Sequence, residues 1–170
     1  DPILKPKEAN KMDYEVEVAM VIGKKGKYIP ANKAQEYIFG YCVVNDISER
    51  SWQKERGGQW IKGKSIAGPC GPYLVTKDEI ENINNINLSL EVNNEKRQSG
   101  NTKRMIFNFN FLISYISKFM TLYPGTIITT GTPAGTAMEM TVPEFLQKGD
   151  KLSLKVEHLG EQNHDVVDEN

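Results

Sequence analysis

Apolar residues alternating with polar ones dominate this chain, and only one segment carries a clear helical period. Tyr14-Glu15-Val16-Glu17-Val18-Ala19-Met20-Val21-Ile22 is rich in β-branched residues and reads as a strand over 14–22. Lys24-Lys25-Gly26-Lys27 predicts a hairpin turn leaving it. A short helix is expected over 31–38, after Pro30 and closed by Gly40. A strand over 41–47 and a second short helix over 48–54 follow, with Ser48 as the cap and Gly57-Gly58 as the stop. Beyond the turn Gly68-Pro69-Cys70-Gly71-Pro72, strands are expected at 73–75 and 87–91, and Asn93-Asn94 turns the latter toward Lys96-Arg97-Gln98. Phe109, Leu112, Ile113, Ile116 and Phe119 recur at helical spacing, which predicts a helix over 109–120 with that stripe in the core. A strand over 126–130 exits through Gly131-Thr132-Pro133, and Pro143 is expected to open a last helical turn before two closing strands. Many short strands and few helices make a sheet-rich α+β fold.

The chain's 170 residues suit a single domain, 1–170, with a substantial core. Lys+Arg 21 against Asp+Glu 22 gives a net charge of -1, which supports neither a nucleic-acid nor a membrane-surface partner. Arg56-Gly57-Gly58 between two tryptophans is not a nucleic-acid tract in so neutral a chain. No apolar run is long enough to span a bilayer and no leader pattern opens the sequence, so a cytoplasmic location is expected. Cys42 and Cys70 have no metal-type spacing and are expected to be packed rather than reactive.

Candidate chemistry begins with Glu15 and Glu17. Side chains two apart on a strand share a face, so two carboxylates are placed side by side among buried-type residues. Such a pair is unfavourable without a positive charge between them, and a hard divalent cation, Mg²⁺ or Mn²⁺, answers with oxygen ligands. The same alternation also suits a strand with one solvated face. Asp46, at the end of the next strand, is the natural third ligand, and equally an ordinary Asx-turn residue. Three carboxylates around a divalent ion leave one net negative charge, so an anionic substrate needs cations nearby. Arg50 and Gln53 fall on about one face of the 48–54 helix, and Lys62 and Lys64 follow. An arginine fork for a carboxylate and a lysine for a developing oxyanion suit that need, though all three cations also read as surface charges. Gly131-Thr132 can bring a backbone N–H and a hydroxyl close to a ligand, or form a plain turn.

Several blocks occur in a specific order. They are Asp13-Tyr14-Glu15-Val16-Glu17, Asn45-Asp46-Ile47-Ser48-Glu49-Arg50 with Gln53, Gly63-Lys64-Ser65, Gly71-Pro72, Arg97-Gln98 with Met105-Ile106-Phe107, and Thr130-Gly131-Thr132-Pro133-Ala134-Gly135. Together they resemble the fumarylacetoacetate hydrolase family, over about 13–160. The resemblance implies a mixed β-sheet roll, commonly a homodimer, with Mg²⁺ or Mn²⁺ on Glu15, Glu17 and Asp46. It also implies substrate contacts from Arg50, Gln53, Lys64, Gly131 and Thr132, with Lys64 and Thr132 catalytic. The implied activity is hydrolysis, decarboxylation or isomerisation of a small anionic 2-oxo acid, such as an acylpyruvate, fumarylpyruvate or oxaloacetate, through a metal-stabilised enolate. Gln59-Trp60 is similar to a branch of ureidoglycolate lyase-like and diketo sugar-acid hydrolase members. Short family members carry an N-terminal His-x-x-Glu lid that activates water. No such pair precedes Glu15, and His158 and His164 match no family motif, so the domain is expected to lack that lid. A non-catalytic metal- and ligand-binding relative, or a structural subunit, is the alternative.

Overall fold

A computed structural model describes residues 1–55 and 68–169. Eleven strands form three sheets among the described residues. The largest orders its strands β1 (Ile3–Lys5), β11 (Gly160–Asp168), β10 (Lys151–Val156), β7 (Asn87–Val92) and β8 (Glu95–Asn101). Within it β1 runs parallel to β11, and the other pairs are antiparallel. A second sheet orders β6 (Val75–Thr76), β4 (Ile38–Asn45), β3 (Val16–Ile22) and β9 (Ile127–Thr129). A small ladder joins β2 (Met12–Asp13) to β5 (Ser48–Glu49). The expected sheet-rich α+β roll is what forms.

Strand alternation builds the core. Leu88, Leu90 and Val92 of β7 and Leu152, Leu154 and Val156 of β10 are all buried, and they cluster with Val16, Val18, Met20 and Ile22 of β3. Helix α2 (Phe109–Phe119) adds Phe109 and Ile113 to that cluster and packs on the 3-10 turns of Ala31–Tyr37. Asn108 caps α2, accepting a hydrogen bond from the Phe111 N–H at 2.9 Å. The opposite face of β3 and β4 carries only a small cluster, Ala19, Cys42 and Val44. The candidate site lies on that face.

Several local expectations are corrected. Residues 31–37 form 3-10 turns and β4 already begins at Ile38. Gly40 therefore lies inside a strand rather than closing a helix. A Cβ there would stand 2.2 Å from the Val75 carbonyl oxygen, so close approach of β6 is what requires glycine. The helix over 48–54 shortens to α1 (Arg50–Lys54), because Ser48 and Glu49 pair with β2; the Glu49 carboxylate caps it, while the Ser48 hydroxyl donates to the Asp46 carbonyl. Its expected stop at Gly57-Gly58 lies outside the described residues. Residues 141–148 form no helical turn, and the turn in this region is Ala137–Glu139, opposite Asp13. The stripe on α2 faces the core as expected at Phe109, Leu112, Ile113 and Ile116, the second and fourth partly buried, whereas Phe119 is exposed. Phe107, Phe111, Tyr115 and Phe119 instead run along its outer side with successive ring centroids 4.5, 5.8 and 5.1 Å apart. Cys70 is exposed, not packed.

Candidate metal centre

Regular pairing of the first long strand starts at Val16, one residue after Glu15, since Met12 and Asp13 pair with β5. The Glu15 N–H donates to Asn45 Oδ1 at 3.1 Å, and the Asp46 N–H to the Glu15 carbonyl at 2.9 Å. These bonds bring the start of β3 against the end of β4. Carboxylate oxygens of Glu15, Glu17 and Asp46 then lie within 4.8 Å of one another. Glu17 is 2% exposed and Glu15 9%. Side chains that repel one another are here held together by the fold, a donor set of hard oxygens suited to a hard divalent cation.

Each glutamate is aimed by a neighbour distant in sequence. The Arg50 guanidinium donates from Nη2 to Glu15 Oε1 at 2.6 Å, from Nε to Asp13 Oδ2 at 2.9 Å, and from Nη1 to Gln53 Oε1 at 3.2 Å. Burial pulls its pKa down, but the Glu15 and Asp13 carboxylates more than reverse this and raise it. Gln53 is 3% exposed and Arg50 4%, so both stand inside the protein. Asp13, wholly buried, also accepts from the backbone N–H groups of Tyr14 (2.9 Å), Ala137 (2.8 Å) and Met138 (3.1 Å). Gly131 donates its N–H to Glu17 Oε2 at 2.7 Å from a backbone with φ 89°, a conformation that favours glycine.

Gln98 of β8 ties this wall together. Its Oε1 accepts from the Val16 N–H at 3.0 Å, while its Nε2 donates to Thr132 Oγ1 at 2.9 Å and to the Pro133 carbonyl at 2.8 Å. Thr132 in turn donates its hydroxyl proton to the Val16 carbonyl at 2.9 Å. A cavity of about 510 Å³ lies against Thr130, Gly131 and Thr132, lined also by Leu88, Met105 and Phe107. Its Val18 wall belongs to the strand face opposite Glu17, so among the described residues the 130–132 turn is what joins cavity and carboxylates.

Of the residues expected at the site, the structure assembles Glu15, Glu17, Asp46, Arg50, Gln53, Gly131 and Thr132. Lys62, Lys64 and the Gln59-Trp60 pair lie outside the described residues. Arg50 and Gln53, expected to face a bound anion, bond each other, and Arg50 holds Asp13 and Glu15. Gly131 is directed at Glu17. Asp13 and Gln98 carry parts of the arrangement that no spacing argument assigns, although both stand in the blocks quoted above. Gln98 lies in a polar strand, Glu95–Asn101, whose pattern gives no hint of a buried side chain. His158 sits in the turn between β10 and β11 and His164 on β11.

The family model described as fumarylacetoacetate (FAA) hydrolase C-terminal matches residues 1–167. The chain belongs to the fumarylacetoacetate hydrolase family. It is 47% identical over 162 residues to oxaloacetate tautomerase Fahd2a, mitochondrial, of Rattus norvegicus, covering 94% of this chain and 52% of that protein. In structure it is similar to fumarylacetoacetate hydrolase from psychrophilic Exiguobacterium antarcticum, with a TM-score of 0.93 and 36% identity over 99% of this chain and 61% of that one. Maleylpyruvate hydrolase from Sphingobium sp. SYK-6, solved with manganese(II) and pyruvate, gives a TM-score of 0.87 and 28% identity over 100% of this chain and 60% of that one. The chain spans about half the length of the curated relatives it matches, 52% to 57%. No helix among the described residues is long and apolar enough to cross a membrane.

Glu49 anchors the segment that carries Arg50. Its Oε1 accepts from the N–H groups of Asn10 (3.1 Å) and Lys11 (2.6 Å), and its Oε2 from Ser51 Oγ (2.5 Å) and the Trp52 N–H (2.7 Å). Burial alone would raise its pKa, but the bonds from Ser51, Trp52, Lys11 and Asn10 bring it below the usual carboxylate value. A depressed folded pKa means stability that is present above the unfolded value of about 4.3 and lost as pH falls through the folded one. Glu49→Gln is expected to cost roughly 1–3 kcal/mol at pH 7. The gap from wild type should shrink below about pH 4, as read by urea unfolding at pH 7, 5 and 3. A gap independent of pH would contradict this account.

Proposed function

We propose that Glu15, Glu17 and Asp46 hold Mg²⁺ or Mn²⁺, and that the chain uses this site for enol–keto isomerisation or C–C bond cleavage of a small 2-oxo acid. Oxaloacetate, acylpyruvates and fumarylpyruvate are the substrates that fit. The observation carrying this reading is the convergence of three carboxylates within 4.8 Å in a member of this family. Relatives that include an oxaloacetate tautomerase and a hydrolase solved with manganese(II) and pyruvate support it. A divalent cation held by these three carboxylates would supply Lewis acidity to the 2-oxo acid.

The chain's own residues preorganise that chemistry. Arg50 fixes Glu15, and Gln53 steadies Arg50, so both act on the substrate through the ligand carboxylate. Gly131 orients Glu17, and Gln98 holds Thr132, which lines the substrate wall with its proton directed to the Val16 carbonyl. Lys64 is assigned to the negative charge that grows on the substrate oxygen as a C–H or C–C bond breaks. Enol–keto conversion and decarboxylation need no activated water, whereas hydrolysis does.

The test measures oxaloacetate enol-to-keto conversion, oxaloacetate decarboxylation and acylpyruvate hydrolysis, with Mg²⁺ or Mn²⁺ and with EDTA, against the free ion alone. At least one reaction is expected to exceed the free-ion rate only when protein and cation are both present. Lys64→Met is expected to lower that rate roughly 10²–10³-fold. Rates equal to the free ion in all three assays would overturn the proposal.

A further inference from the structure

The segment that follows the undescribed residues lies along the end of β4. Cys70 pairs with Val44 in antiparallel sense, the Asn45 N–H donates to the Pro69 carbonyl at 3.0 Å, and the Gly71 N–H to the Val43 carbonyl at 2.9 Å. The buried Gln162 amide fastens the same strap, donating to the carbonyls of Gly71 at 2.8 Å and Val43 at 3.1 Å. In this register Cys42 and Cys70 share a face as diagonal neighbours, and their sulfurs stand 3.3 Å apart. Cys42 is buried and Cys70 exposed, so a solute meets Cys70 first.

We propose that Cys42 and Cys70 form a reversible oxidation site, in which a peroxide or a low-molecular-weight disulfide oxidises Cys70 and Cys42 resolves the product as an intramolecular disulfide. With hydrogen peroxide, the Cys70 sulfur attacks one oxygen, the O–O bond breaks, and water leaves behind a sulfenic acid. The Cys42 sulfur then attacks the Cys70 sulfur, the S–O bond breaks, and the hydroxyl departs as a second water with the Cys42 proton. Two thiols lose two electrons and two protons, and the peroxide takes up both. With a small disulfide, Cys70 first forms a mixed disulfide and releases one small thiol, and Cys42 displaces the second.

The order follows from the surroundings. Burial, then the hydrogen bond and charge of Cys70, push the Cys42 thiol up to about 12, so it stays protonated and waits for an activated partner at contact distance. The sulfurs need only close from 3.3 Å to about 2.05 Å, within a strap already held by backbone bonds. The new bond crosslinks that strap to the strand ending one residue before Asp46.

Treating the whole protein with hydrogen peroxide, and separately with oxidised glutathione, then alkylating and peptide-mapping, tests this. A Cys42–Cys70 linked peptide within one chain is expected, reversed by dithiothreitol. Cys42→Ala is expected to leave Cys70 as sulfinic acid or a persistent glutathione adduct. Should that variant not fold, Cys70→Ser, altered at an exposed position, is expected to lose the Cys42 thiol at least about tenfold more slowly than wild type. Accumulation of sulfinic or glutathionylated Cys70 beside a free Cys42 in the wild type would overturn the proposal. So would a disulfide joining two chains, or Cys42 oxidised at an undiminished rate in Cys70→Ser.

Discussion

Arg50→Met is expected to destabilise the protein by roughly 3–5 kcal/mol, the usual cost of removing one partner from a buried ion network. Arg50 is 4% exposed, and its guanidinium serves Asp13, Glu15 and Gln53 at once. Without it, Asp13 keeps three backbone donors but loses the guanidinium charge, and Glu15 loses the fork that aims it beside Glu17 and Asp46. Arg50→Lys is expected to recover only part of the loss, since a single ammonium cannot reach three acceptors that a planar fork spans. Urea unfolding in the absence of divalent ions is the measurement. A loss below about 1 kcal/mol in Arg50→Met, the scale of an exposed pair, would show that the guanidinium is not what supports the carboxylates and would return it to the substrate side.

The second large effect concerns the cation. Calorimetric titration with Mn²⁺ is expected to show one site in the wild type. At a free concentration of one hundred times Kd, binding that site should add about 2.7 kcal/mol to unfolding stability. Glu17→Ala and Asp46→Ala are each expected to weaken binding at least about 100-fold and to erase that gain. Glu17 carries the sharper test, because it is 2% exposed and aimed by the Gly131 N–H, so its deletion removes an oriented ligand and not a mobile surface group. Unchanged Mn²⁺ affinity in both variants would sink the assignment, whatever the fate of the 2-oxo acid assays. A lost site with intact folding would leave it standing even if the substrate were of another class.

Local pattern carried much of this protein. The Glu15–Glu17 spacing, the strand-end position of Asp46, the helix at α2 and the Asn93-Asn94 hairpin are all properties of neighbouring residues. The Asn93 and Asn94 backbones indeed take φ of 53° and 66°, as asparagine permits in such a turn. Amphipathic periods fixed which side of β7 and β10 faces inward, because a one-residue slip would expose every leucine and valine on them. The ends of elements were less legible. The start of β4 at Ile38 depends on its pairing with Ile22 of β3, and the position of Glu49 on its pairing with Met12 of β2.

What pairs with what across the fold was decided by tertiary structure alone. Arg50 meets Glu15 35 residues away and Asp13 37 away, and Asp13 holds Ala137 across 124 residues. The sequence marks Arg50 as a cation near the acids. It cannot say whether the fork faces a substrate or a ligand carboxylate, since that depends on the offset between β2, β3 and α1. Gln98 and Cys70 show the same limit. One is a polar residue in a polar strand and the other a cysteine in a turn, and neither has a local signal. Their roles arise because sheet register sets one against Val16 and Thr132 and the other against Cys42. Periodicity follows from the geometry of single elements, which short stretches of sequence encode, whereas contacts between elements depend on how all of them pack at once.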